Sequence, residues 1–291
     1  MPDGAVAGTA AATAADRVRE AVPAGSLRHF AALFSGSPRR ASVEALYAFE
    51  AELRRVVAAA SHEAAHARLQ WWRGEVDRLA AGRPSHPLGQ ALVSLRGQRD
   101  LDLARLHDML VAADLDLAQM TYRTWQELEA YLLRASGTAQ SLIAAVLAGE
   151  RGLASIEGEF ARRLGAAVRQ VEILFDLDCD LARGRMYAPI EALEAASIDP
   201  VAFARDWRAS PARAFLADWQ TRLRRELDVL PSLLVEPTHR AAQRHGLILA
   251  ALHARWLDLR TEATALANAP SPELGSLTRL WTAWRTALRY P

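Results

Sequence analysis

Residues 175 to 189 read FDLDCDLARGRMYAP, three aspartates spaced two apart and followed by a glycine between arginines, a tyrosine and a proline. On a helix Asp176 and Asp180 lie about 40° apart, while Asp178 points roughly 200° away from Asp176. Four residues earlier, Glu172 joins the same face. Like charges at this spacing cost a helix about 0.2–0.5 kcal/mol per pair unless a cation sits against them. Two readings are open at this point. Mg²⁺ bridged to a phosphate-bearing ligand suits oxygen ligands of this kind. Alternatively, Arg169, Arg183 and Arg185 neutralise an acidic face that is otherwise only solvated.

Composition narrows the chemistry. The 291 residues carry 35 basic and 34 acidic side chains, and every basic one is arginine. Schiff-base catalysis by lysine is therefore excluded, and phosphate contacts fall to guanidinium forks. Near-neutrality without a basic stripe argues against a nucleic-acid binder. A single cysteine, Cys179, excludes an intrachain disulfide and a cysteine-built zinc cluster. His62 and His66 read as surface histidines. Residues 1–20 are small and alanine-rich, lacking the basic start and apolar stretch of a signal peptide, and read as a disordered tail. No run of eighteen apolar residues free of charge occurs, so no membrane-spanning helix is expected, and a cytoplasmic location follows.

Apolar residues recur at spacings of three and four, and alternating strand patterns are scarce, so the chain reads as all-α. Helices are expected over 26–34, 38–60, 62–82, 87–96, 100–112, 123–135, 137–148, 154–182, 200–206, 209–229, 236–268 and 273–289. Turns at Ser35-Gly36-Ser37-Pro38 and Gly82-Arg83-Pro84-Ser85 punctuate them, as does Asn268 to Pro272. Connections are short and no linker divides residues 21–291, which form one domain. Leu277, Leu280, Trp281, Trp284 and Leu288 form an apolar stripe edged by Arg279, Arg285 and Arg289. It reads as core, or as a face lying on a membrane surface, peripheral to the inner membrane.

The run GAAVRQVEILFDLDCDLARGRMYAP resembles the second signature of the squalene and phytoene synthase family, matching Gly165, Ala167, Ile173, Leu174, Asp176, Asp180, Arg183, Gly184, Arg185, Tyr187 and Pro189 without a gap. ALYAF at 45–49, RLQWW at 68–72 and the Tyr131, Gly137, Thr138 pattern are similar to further family segments. The resemblance implies a single-domain isoprenoid-synthase helical bundle around a central cavity. It also implies Mg²⁺-dependent head-to-head condensation of two isoprenyl diphosphates, with acidic motifs opposed across the cavity mouth. Glu172, Asp176 and Asp180 would supply one metal-binding set. Arg54, Arg55, Arg183, Arg185 and Tyr187 would face the diphosphate.

The opposed motif departs from the family. Where two adjacent aspartates and a third three residues on are usual, this chain has Arg54, Arg55 and Ala58. Fixed cations disfavour a neighbouring Mg²⁺ cluster by several kcal/mol even at an effective dielectric near 20. The segment is similar to a divergent branch that includes the mitochondrial complex I assembly factor. The expectation is thus a pseudoenzyme of the family that binds an isoprenoid or other lipid, or a protein partner, without metal. The alternative is an Mg²⁺-dependent prenyltransferase relying on the second motif. Arg54 or Arg55, with Arg54 the better placed, is expected to turn inward and meet Asp176 or Asp180 directly or through water, with no catalytic residue assigned.

Overall fold

The computed structural model describes residues 15–59, 61–96, 98, 101–264 and 273–290, and among them helices are joined by turns with no strand. The expected tail falls mostly on residues 1–14, outside the described residues, while 15–21 are helical. The expected turn from Asn268 to Pro272 also lies outside them.

The principal helices are α1 Leu27–Ala32, α2 Ser37–Val57, α3 His62–Ala80, α4 Leu106–Leu117, α5 Trp125–Leu132, α6 Thr138–Ala148, α7 Ser155–Phe175, α8 Leu177–Ala182, α9 Ser210–Val229, α10 Arg244–Thr264 and α11 Ser276–Arg289. Local signals set their starts. Ser26, Ser61 and Thr124 each accept a hydrogen bond from the backbone three residues on, at the heads of α1, α3 and α5. Gly36, at a φ of 77°, turns the chain into α2.

α6 is buried on every side, as expected of an apolar helix at the centre of a bundle. α5 and α6 are not separate, as the sequence suggested, but run together through a π-helical turn at Leu133–Gly137. The stretch Trp125–Arg151 is consequently long and apolar enough to cross a membrane by length and composition, contrary to expectation, yet 78% of its apolar window is buried inside the protein. Its packing against α7 is close. A methyl on Gly165 would sit 2.2 Å from the Ser136 carbonyl oxygen and 2.6 Å from Cα of Gly137, so only glycine lets α7 rest on the π turn.

The helix expected over 154–182 bends at Asp176, where φ and ψ are −90° and 9° and α8 begins. α8 ends at Gly184, with a φ of 75°. Its N–H reaches the Leu181 carbonyl (3.0 Å) and that of Arg185 the Asp180 carbonyl (2.8 Å), the paired bonds of a helix closed by a left-handed glycine. This reversal carries Arg185 and Tyr187 back along the bundle.

A polar thread crosses the core. Tyr47 of α2 and Ser35 share hydrogen bonds with Nε2 (2.8 Å) and Nδ1 (3.0 Å) of His245 on α10, and Gln140 of α6 donates to the Tyr47 hydroxyl at 3.2 Å. Burial pushes His245 down to about 4, and does the same to His253 one helix face along.

Two expectations follow. Gly165→Ala destabilises the protein by about 3 kcal/mol, near the top of the range for overpacking, whereas Gly158→Ala, whose nearest neighbour is 3.6 Å away, is neutral or slightly stabilising; urea unfolding of both variants checks this. Both histidines are depressed, so the unfolded chain binds the extra protons. Stability is therefore fully present above pH 6.5 and lost as pH falls toward 4, by up to about 1.4 kcal/mol per unit per histidine. A urea midpoint that stays flat between pH 7 and 5 contradicts the assignment.

Candidate functional site

Glu50 on α2 and Glu172 on α7 are both buried, so each charge loses most of its hydration. Arg54, one turn after Glu50, donates to Glu50 at 2.8 Å and to Glu172 at 2.6 Å, bridging the two helices with one guanidinium. Arg28 of α1 lies 2.8 Å from Glu172 and 3.1 Å from Glu50, and its guanidinium stacks 4.8 Å above the Tyr47 ring. Ser136, presented by the π turn, donates to Glu50 at 2.5 Å. Arg169 approaches Glu172 at 3.7 Å. Burial alone would raise the Glu172 pKa, but the Arg54, Arg28 and Arg169 cations hold it well below the usual carboxylate range. Glu50 is likewise lowered, against its burial, by Arg28 and Arg54. Both carboxylates are ionised and paired.

A second network backs the first. Asp116 of α4 accepts from the hydroxyls of Tyr187 (2.7 Å) and Tyr131 (3.0 Å), and Arg169 donates to those same hydroxyls at 3.2 and 3.3 Å. Between the two networks lies a void of only about 30 Å³, touching Glu50, Arg54, Met109, Tyr131, Ser136 and Arg169. On the other side of Arg54 opens a pocket of about 460 Å³. Leu27, Leu274 and Trp256 form apolar wall, and Arg28, Arg54, Glu172 and Asp176 form its polar floor. The Phe175 ring stacks on Trp256 with centroids 3.6 Å apart.

Asp176 lines this pocket and is raised, first by burial and then by Glu172. Asp180 is buried and raised by burial, with Arg185 at 3.8 Å. Asp178 turns outward to Trp207 and Arg208, each at 2.7 Å. Of the five residues expected at a diphosphate, only Arg54 lines the pocket. Arg55 faces the outer side of α2 and bonds Glu20 and Glu52. Arg183 is exposed, its carbonyl accepting from Gln119, and Tyr187 is committed to Asp116 and Arg169. The expected partner of Arg54 also differs. It meets Glu172, not Asp176 or Asp180, because Glu172 lies a turn deeper on the straight part of α7 while the bend at Asp176 carries the later acids away.

The fit to a multi-Mg²⁺ cluster fails on the donor set. Glu172 is engaged by three arginines, the buried carboxylate of the facing helix, Glu50, is itself held by Arg28 and Arg54, and among the described residues no three His, Cys, Asp or Glu side chains gather as metal ligands. His62-Glu63-Ala64-Ala65-His66 does carry the H-E-x-x-H spacing of zinc proteases, which the reading as surface histidines passed over. The two rings meet edge to face 4.6 Å apart on the exposed first turn of α3, without a third ligand among the described residues.

Sequence reasoning missed Arg28, Asp116 and Ser136. Arg28 stands in no motif, and its role arises only when α1, packed on α10 and α11, brings it beside Glu50 and Glu172. Asp116 sits in the acidic run Asp114-Leu115-Asp116, whose spacing resembles a solvated edge.

Comparison with known proteins agrees with this geometry in fold. A family profile described as squalene/phytoene synthase matches residues 23–273. A 15-cis-phytoene synthase of Synechocystis sp. is 33% identical over 135 residues, covering 43% of this chain and 40% of that protein. A phytoene synthase of Arthrospira platensis is 31% identical over 135 residues, 43% of this chain and 44% of that protein. The match thus spans less than half the length of these curated relatives. The crystal structure of a dehydrosqualene synthase in complex with ligand superposes with a TM-score of 0.77 at 15% identity, covering 95% of this chain and 97% of that one. With all but its terminal segments matched to the profile, the chain belongs to the squalene/phytoene synthase family.

Proposed function

We propose that this family member does not run metal-dependent head-to-head condensation and instead holds a lipid, isoprenoid or similar, in the 460 Å³ pocket beside the Glu–Arg network. The observation that carries this reading is Arg54, spanning Glu50 and Glu172 at 2.8 and 2.6 Å where the family's pattern places carboxylates. A departing diphosphate needs preorganised cationic stabilisation that strengthens as charge develops. Here the guanidiniums are already neutralised by buried glutamates, and freeing them would strand two carboxylates.

The pocket's charge supports the same reading. Glu20, Glu172, Asp176 and Glu273 stand against Arg28, Arg54 and Arg279, a balance that does not favour a multiply charged anion. The volume falls within the roughly 300–1,000 Å³ of small-molecule sites, whereas the 30 Å³ void behind Arg54 is far too small for a prenyl chain. An occupant with an apolar body and a small, weakly charged head suits the wall of Leu27, Leu274 and Trp256. The Mg²⁺-dependent prenyltransferase reading rests on Asp176, Asp180 and the turn at Gly184, and no observation beyond the matched motif favours it.

Two outcomes are expected. Purified protein incubated with farnesyl or geranylgeranyl diphosphate and Mg²⁺ releases no pyrophosphate above background; turnover near 1 s⁻¹, an ordinary enzymatic rate, contradicts the proposal. Arg54→Asp, which restores the family's charge, does not start the reaction. It places a third carboxylate against Glu50 and Glu172 and lowers stability by about 3 kcal/mol, read from urea unfolding.

A further inference from the structure

α11 is built inside out. Its inward face carries the small side chains Ala283, fully buried, and Ala287, while its large apolar residues face solvent: Leu277 is 82% exposed, Trp281 58% and Leu288 61%, with Leu280 and Trp284 close to half exposed. Taking 100° per residue, Leu277, Leu280, Trp281, Trp284 and Leu288 fall within about 100° of arc, centred roughly 120° from Ala283. The Trp281 and Trp284 rings meet at 5.2 Å, giving one continuous aromatic surface. Both ends of the helix are fastened to the body: Arg279 donates to the Gly25 carbonyl at 2.6 Å, and Arg244 to that of Tyr290 at 2.8 Å. The bulky face is held outward by the fold.

Charge says what covers it. Residues 276–290 hold three arginines and no acid, and Arg285 and Arg289 lie along one edge of the apolar arc. Among the described residues no carboxylate pairs with either. A second copy of α11 laid against this face would bring arginine against arginine with no acid on the helix to offset it, so self-association is disfavoured. Tryptophan and leucine on one face with arginine at its edge is the pattern of a helix lying in the headgroup region of a bilayer, where the rings enter the acyl boundary and the guanidiniums stay among anionic headgroups. We propose that α11 is an interfacial helix that docks the protein onto an anionic lipid bilayer. Glu273 and Leu274 of the segment entering it, with Arg279 of its first turn, also wall the 460 Å³ pocket, so docking sets that pocket within roughly 20 Å of lipid, one length of α11.

The test is co-sedimentation of the full chain with phosphatidylcholine vesicles, with and without phosphatidylglycerol. Binding is expected to the phosphatidylglycerol vesicles and to weaken with salt. The double variant Trp281→Glu/Trp284→Glu should bind at least about tenfold more weakly. Arg285→Gln/Arg289→Gln should lose roughly fivefold per charge, on anionic vesicles only. Should the tryptophan variant fail to fold by circular dichroism, Leu277→Glu, at the most exposed of these positions, replaces it with the same expectation. No binding by the wild type, or undiminished binding by the folded face variants, overturns the proposal. So does a concentration-dependent dimer in sedimentation velocity that the face variants abolish, which would assign the surface to a second copy.

Discussion

Two glutamates taken out of water must be matched by cations, and the site is arranged around that requirement. Glu50 and Glu172 come from different helices, and Arg54 and Arg28 each reach both of them, so four side chains from α1, α2 and α7 form a closed set of charges. Removing one member of a buried pair costs several kcal/mol because the other is left charged and unpaired. The rest of the arrangement follows. The π turn bends the chain so that Ser136 can satisfy Glu50, Gly165 lets α7 approach that turn, and Arg169 is shared between Glu172 and the Tyr131–Asp116–Tyr187 cluster behind it.

On the proposed reading, the same closure sets this chain apart from metal-dependent condensation. A metal-bridged diphosphate requires carboxylates with free lone pairs on both sides of the mouth. Here Arg54 ties up both Glu50 on its own helix and Glu172 on the facing one. The 460 Å³ pocket is bounded on one wall by the network and on another by Leu27, Leu274 and Trp256, the last backed by the Phe175 ring. The charge network and the apolar wall beside it both accord with the proposed lipid-holding role.

Much of this was legible in the chain. Three- and four-residue periodicity, with glycine and proline punctuation, marks most of the helices, because an apolar stripe and a cap are local properties. Glu50 and Arg54, one turn apart, announce their own pairing, and the angular argument separates Asp178 from Asp176 correctly. Other features needed the assembled fold. The π turn joining α5 to α6 leaves no composition signal, since Ser136-Gly137 reads as a break. The bend at Asp176 shifts the acids that follow, which is why Arg54 meets Glu172 instead. Helix α4 begins at Leu106, later than the apolar run from Leu101 suggests, because Asp102 caps a short 3₁₀ turn first. Arg28 is legible only as a contact between residues 144 positions apart.

The coupling between Arg54 and Glu172 is where the account is most exposed to test. A double-mutant cycle of Arg54→Met and Glu172→Gln, followed by urea unfolding at neutral pH, measures it directly. The account predicts a coupling of about 2 kcal/mol or more, the double variant being more stable than the sum of the single losses implies. Single losses that simply add, to within about 0.5 kcal/mol, would mean that the two side chains act independently and that the charge network is not what closes the site.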